Sequence, residues 1–276
     1  MWAATVTRSP QPSTSNPGPP AVRGRRLRPA LVTAAALCLW LGGGGRAGAA
    51  AFSIDPTQIR LSARAPSVLL TVRNESTAPV RLQIAAFGWA QAVSGEMQLG
   101  PTDDIVFFPA LFTLAPGEAR KVRVGTTAAF GSVERAYRLF VEELPGERGP
   151  RNAGTGVQVL TRMGIPIFLQ PDVPRASAVL DGLAAGDGVV SFRLRNTGTV
   201  HFVPDGVRLR GLDEGGNAVF ERAIRSWYVL AGGIREFQAA VEPPHCQQVR
   251  LVHVEVRIGD AVMRERLETP RGTCRP

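Results

Sequence analysis

The chain shows no sustained 3.6-residue apolar period, and glycine or proline interrupts it about every ten residues. From Phe108 to Pro171 it reads as one short alternating segment after another. Leu114-Ala115-Pro116-Gly117 makes a turn, and Lys121-Val122-Arg123-Val124 alternates like a half-buried strand. ERAYRLFVEELP, then Val157-Gln158-Val159-Leu160-Thr161, then GIPIFLQP continue the pattern. Punctuation at this interval favours all-β sandwiches over helical packing. Alternate residues of a strand share a face, so Val157, Val159, Thr161 and Met163 form one mostly apolar row. A row like that, beside an open groove, could complete another protein's unfinished sheet.

Residues 1–50 read as a leader rather than as part of the fold. Arg23, Arg25, Arg26 and Arg28 precede an apolar stretch from Pro29 to Leu41, and small residues follow at Ala47-Gly48-Ala49-Ala50. That is the layout of a secretory signal peptide. Its apolar middle falls short of the roughly 20 residues a membrane span needs. Removing it takes away six arginines and no acid, leaving 26 basic against 23 acidic residues. The net charge of +9 therefore shrinks to +3, and no nucleic-acid partner is expected. Cys38 leaves with the leader, so Cys246 and Cys274 remain. In an exported chain such a pair points to a disulfide over a metal site, contributing about 3 kcal/mol by loop closure.

What remains is long enough for two small domains. Val68-Leu69-Leu70-Thr71-Val72-Arg73-Asn74 is echoed by Val190-Ser191-Phe192-Arg193-Leu194-Arg195-Asn196, each strand closing on Arg-Asn and a polar turn. The offset matches one immunoglobulin-like unit of about 100 residues or slightly more. Gln170-Pro171-Asp172-Val173-Pro174 is the join, where two prolines stiffen a short connection. The expected division is residues 1–50 as signal peptide, 51–171 as the first domain and 172–276 as the second. Pro145 to Gly156 is a polar, glycine-rich loop between strands.

Catalytic constellations are missing. His201, His245 and His253 are scattered without metal-ligand spacing. Asp103-Asp104 and Glu142-Glu143 are adjacent pairs, which point to opposite faces of a strand and so make no acid–base couple. The expectation is a non-enzyme without cofactor or metal.

The ordered series FSIDPTQIRL, LLTVRNEST, Trp89 within AFGWAQ, DDIVFFPALFTLAPGEARKVRV, ERAYRLFVEELP and GIPIFLQP resembles the periplasmic pilus-assembly chaperones of the chaperone–usher pathway. The likeness runs across residues 51–276, and GIPIFLQP looks most like the divergent branch that serves spore-coat-protein-U-like pilins. The resemblance implies two tandem immunoglobulin-like β-sandwiches in a boomerang arrangement. It also implies a periplasmic location and a strand lent to pilin subunits whose own sandwich is incomplete, until an outer-membrane usher accepts them. Carried over, the lent strand is Val157 to Met163, with Val157, Val159 and Thr161 filling the groove and Met163 continuing the row. The same strand could cap a second copy of the chain in a dimer, since long apolar edge strands invite pairing.

The family's subunit-carboxylate anchor, an Arg and a Lys, falls here on Gln58 and Pro166. Arg60, Arg162 and Lys121 stand as substitutes, because a guanidinium forks well onto a carboxylate. Glu134 matches the acidic residue that helps fix the angle between the domains, and the position of its basic partner falls on Gln170. The competing reading is a structural or adhesive component of a surface appendage. That reading calls for a free alternating N-terminal extension and a first domain lacking its last strand, and neither is evident in the sequence.

Overall fold

The computed structural model describes residues 52–145 and 159–269. Their alternating rows build four sheets in two sandwiches. In the first sandwich, one sheet has the order β1 (Phe52–Asp55), β3 (Ser67–Asn74), β8 (Ala119–Thr126) and β6 (Ile105–Phe108). Against it lies a sheet with the order β2 (Ile59–Leu61), β10 (Arg162–Leu169), β9 (Arg135–Glu143), β4 (Val80–Gln91) and β5 (Met97–Pro101), and β7 (Leu111–Leu114) also pairs with β4. The chain changes sheets early. β1 pairs antiparallel with β3, and after the cis Asp55–Pro56 bond β2 pairs parallel with β10.

The second sandwich repeats the plan. One sheet holds β11 (Ala178–Gly186), β12 (Val189–Asn196) and β15 (Ile234–Ala240). The other holds β14 (Ala218–Ile224), β13 (Gly206–Leu212), β16 (Leu251–Ile258) and β17 (Ala261–Glu268). A six-residue helix, α1 (Pro243–Gln248), leads into β16. Cys246 in that helix is disulfide-bonded, and its expected partner Cys274 lies outside the described residues.

Each sandwich buries its own row of side chains. Leu82 and Ile84 of β4, Leu139 and Val141 of β9, and Ile165 and Ile167 of β10 pack with Leu70, Val72, Val122 and Val124 of the facing sheet. In the second sandwich Phe192, Leu194, Leu209, Phe237, Val254 and Val256 do the same, with Phe192 and Phe237 stacked 5.1 Å apart. Burying each such side chain is worth roughly 1.5–3 kcal/mol.

The two Arg-Asn strand ends are equivalent in detail. Asn74 Nδ2 donates to the carbonyls of Ala78 (2.8 Å) and Leu114 (3.0 Å), and its Oδ1 accepts from the Ser76 N–H (2.8 Å). Asn196 Nδ2 donates to the carbonyls of Val200 (2.9 Å) and Val229 (3.0 Å), and its Oδ1 accepts from the Gly198 N–H (2.9 Å). Both amides are buried, and each ties the turn after its strand to a segment far along the chain.

The sandwiches touch through residues that face away from the first core. Phe168 of β10 is fully buried, and its ring stacks on His201 at 3.6 Å. Glu134, with a side chain only 1% exposed, accepts the His201 backbone N–H at 2.9 Å through Oε1, which also lies 2.6 Å from His201 Nδ1. The Glu134 N–H donates to the Thr199 carbonyl at 2.8 Å. The partner of Glu134 is therefore His201. Gln170, at the family's partner position, instead donates its backbone N–H to the Leu61 carbonyl at 2.9 Å.

Two stability outcomes follow from these bonds. Asn74→Ala removes four side-chain hydrogen bonds and Asn196→Ala three, most of them to backbone groups of the turns, so each should cost about 2–4 kcal/mol in urea denaturation. Glu134→Ala removes both hydrogen bonds that the carboxylate makes to His201 and should cost about 1–3 kcal/mol by the same measurement. An unchanged midpoint for any of the three would refute the role given to that side chain.

Candidate functional site

A strand can be lent only from an edge that still has hydrogen-bonding groups to offer. β10 is such an edge along part of its length. On one side it pairs with β9 over all eight residues, Arg162 to Leu169. On the other side β2 covers only Ile167, Phe168 and Leu169. Arg162 to Pro166 therefore have no strand on that side among the described residues. Pro166, which has no N–H to give, sits in this uncovered half, as prolines in sheets do.

The alternation along β10 sorts its side chains. Met163, Ile165, Ile167 and Leu169 face the core of the first sandwich, and Met163 is only partly covered. Val159 lies before the strand and is 81% exposed, and Leu160 beside it is also exposed. Thr161 is half-buried and is held by Glu143, whose N–H donates to the Thr161 carbonyl at 2.9 Å. Among the described residues the strand paired with β9 begins at Arg162, with Val159 to Thr161 just before it. Val157 lies outside the described residues.

The other row of β10 shares an outward face with β4 and β9. Gly164 makes room there for Phe140, since a Cβ at Gly164 would stand 2.9 Å from that ring. Arg162 lies over Phe140 with 3.9 Å between guanidinium and ring centre, and it is ion-paired with Glu142. Arg60 sits opposite Phe168 in the β2–β10 register, six strand positions from Arg162. With the Gln58 amide oxygen turned toward it, Arg60 donates to that oxygen from Nη2 at 3.0 Å and Nε at 3.2 Å. Lys121 is exposed on β8, in the other sheet of the sandwich. The structure does not bring these three cations together.

It places a different cation at the centre of the face. Arg138 of β9 stands directly opposite Pro166 in the register and is 5% exposed. Its guanidinium lies 4.1 Å from the centre of the Trp89 ring and 5.8 Å from those of Trp227 and Tyr228. A desolvated contact of the first kind is worth about 2 kcal/mol. Burial pulls its proton affinity below the ordinary arginine value, a loss partly offset by Tyr228. Trp89 and Tyr228 meet edge to face at 5.3 Å, and Trp89, Phe168 and Leu230 form a small apolar cluster that joins the sandwiches. A cleft of about 410 Å³ beside it is lined by Trp89, Gln91, Glu134, Ala136, Leu230 and Gly233. Gln91 spans this junction, donating from Nε2 to the Tyr228 carbonyl at 2.7 Å.

Sequence reasoning passed over Arg138 and His201. In ERAYRLFVEELP an arginine on the row opposite Tyr137, Leu139 and Val141 reads as a solvent-facing residue. The one hint was its row-mate Phe140, which an uncovered face would leave in water.

Residues 51–174 match the family of pili and flagellar-assembly chaperones, over its PapD N-terminal domain. No curated protein sequence matches the chain. Among solved structures, the chain is similar to one in the CsuC–CsuE chaperone–tip adhesion subunit pre-assembly complex from the archaic chaperone-usher Csu pili of Acinetobacter baumannii. That match has 18% identity and a TM-score of 0.50, and covers 79% of this chain and 98% of that one. The class 5 fimbriae chaperone CfaA gives 15% identity and a TM-score of 0.52, over 79% of this chain and 99% of that one. A Salmonella enterica complex of the SafA pilin with the SafB chaperone gives 14% identity and 0.50, over 80% and 98%. At these identities the structures speak for the two-sandwich fold, and the sequence match places residues 51–174 in the pili and flagellar-assembly chaperone family, as its PapD N-terminal domain.

Proposed function

We propose that the chain is a periplasmic chaperone that holds pilin subunits by donor-strand complementation and hands them to an outer-membrane usher. The observation that carries this reading is the half-covered edge of β10, open from Arg162 to Pro166, with the exposed Val159 leading into it. A subunit lacking its last strand would pair its backbone with this edge and receive Val157, Val159, Thr161 and Met163 in its groove. Each valine buried in that way would stabilise the complex by roughly 1.5–2 kcal/mol. The solved relatives named above include chaperones in complex with a pilin or a tip subunit, which supports the same partner class.

The finer parts of the reading belong with it. Residues 1–50 serve as the export signal, 51–171 and 172–276 are the two domains, and GIPIFLQP places the chain in the divergent branch. Among the described residues no helix is long and apolar enough to cross a membrane. Of the proposed anchors, Arg60 and Arg162 lie on the same sheet as the lent edge, whereas Lys121 does not. A free β10 edge could also pair with that of a second copy when no subunit is present.

Co-purification from the periplasm with the sandwich-type subunits encoded beside the chain tests the proposal. Wild-type protein should yield a stable one-to-one complex. Val159→Arg, at an exposed position where it leaves the fold intact, should abolish it. Normal capture by a well-folded Val159→Arg variant would refute the donor assignment, and no complex with any such subunit would favour a structural component of the appendage.

A further inference from the structure

The edge of β15 is covered from the other sandwich. Within its own sheet β15 pairs only with β12, so the backbone groups on its far side meet no strand among the described residues. One of them, the Glu236 N–H, donates at 2.7 Å to the Val93 carbonyl at the tip of the β4–β5 hairpin. That tip is a tight turn, in which the Gly95 N–H donates to the Ala92 carbonyl at 2.8 Å and the Ala92 N–H to the Glu96 carbonyl at 2.9 Å. A bare sheet edge invites pairing with other chains, and a turn laid across it removes part of that edge.

The residue before Glu236 makes the seat for this turn. Arg235 shares the inward row of β15 with Phe237, and its guanidinium lies 4.8 Å from the centre of that buried ring. Gly95 rests on it, since a Cβ at Gly95 would stand 2.7 Å from Arg235 Nε. The φ of Gly95 is +90°, a conformation that residues with a side chain rarely adopt. Arg235 Nε and Nη1 are buried with no partner among the described residues, so the seat is dry. At the root of the hairpin, Gln91 Oε1 accepts the Leu230 N–H at 3.4 Å and adds to its bond with Tyr228.

The position of the hairpin gives it leverage. The interface between the sandwiches starts at the Phe168–His201 stack on β10, two residues before Gln170. The hairpin is its far end, because β4 lies two strands from β10, roughly 10 Å at the usual strand spacing. A rotation of about 10° about the stack would carry the hairpin through roughly 2 Å, enough to break a hydrogen bond of ordinary length. An interface held at both ends opposes a rotation that its near end alone would allow.

We propose that the tip of the β4–β5 hairpin is a clamp that fixes the angle between the two sandwiches, and that Gly95 is the residue that lets it seat on Arg235. Released from the clamp, the sandwiches keep the Phe168–His201 stack and the short join, and their angle varies as it does between most domains that share a modest interface. The clamp does not rest on what the chain binds.

Pulsed electron spin resonance reads this angle as a distance distribution between two spin labels, one on Leu69→Cys in β3 and one on Val262→Cys in β17, both at exposed positions. With the hairpin intact the distribution should be single and narrow. Gly95→Asn keeps the turn, because asparagine tolerates positive φ better than most residues with a side chain, but it sets that side chain against Arg235. It should widen the distribution at least about twofold, as expected once a fixed pair of domains becomes a mobile one. Replacing Val93-Ser94-Gly95 by the two-residue turn Asn-Gly withdraws the tip from β15 and should widen it at least as much. Gly117→Asn is the control, since Gly117 also has a positive φ, +73°, but a Cβ there meets nothing within 4 Å, and the distribution should stay narrow. A shortened hairpin that lowers the melting temperature but leaves the distances unchanged would make this an ordinary packing contact and overturn the clamp. A broad distribution with the hairpin intact would overturn it too. Widening by the shortened hairpin but not by Gly95→Asn would keep the clamp and discard the role of Gly95.

Discussion

Phe168 is fully buried although it points away from the core of its own sandwich. An aromatic ring on the outward face of a sheet must be covered by something, and here the cover is the second sandwich. The stack of Phe168 on His201 draws the Thr199–His201 turn against the start of β9, where Glu134 takes the histidine's backbone and ring. The same contact carries Tyr228 and Leu230 over Trp89 and so closes the roof above Arg138. The interdomain contacts described above extend from this one displaced ring.

The two rows of β10 then divide the work between them. The inward row, Met163 to Leu169, holds the strand in the first sandwich by core burial, so the strand need not rely on having partners at both edges. In the outward row Gly164 yields space to Phe140, and Pro166, which contributes no N–H, stands opposite Arg138. A strand offered to a partner has to be stable before the partner arrives and still have free backbone groups. Pairing on one side only, backed by a complete inward row, satisfies both demands.

Much of this was legible in the chain. The turn spacing and period-two patterning announced sandwiches. The Val68–Asn74 and Val190–Asn196 echo announced two of them, and the structure gives that echo a cause: the same asparagine network closes both strands. The apolar row from Val159 to Met163 divides at the start of the strand. Met163 lies in β10, whereas Val159 and Thr161 precede the strand, because the span of pairing with β9 depends on the partner strand and not on the local pattern. The anchor candidates were chosen by charge and strand parity, which put Arg60 and Arg162 on one face but could not tell that they lie six strand positions apart.

The order of residues along each strand by itself determined which side chains share a face and where the turns fall, because these depend on neighbours within a few positions. It did not determine which outward faces would be covered. Arg138 and His201 gain their surroundings from segments more than 60 residues away, Trp227–Tyr228 for the one and Glu134 for the other. Whether a charged or aromatic residue on an outward face meets water or another domain is a property of the assembled sheets, so only the tertiary structure could turn an ordinary strand arginine into a cation buried against aromatic rings of the second sandwich.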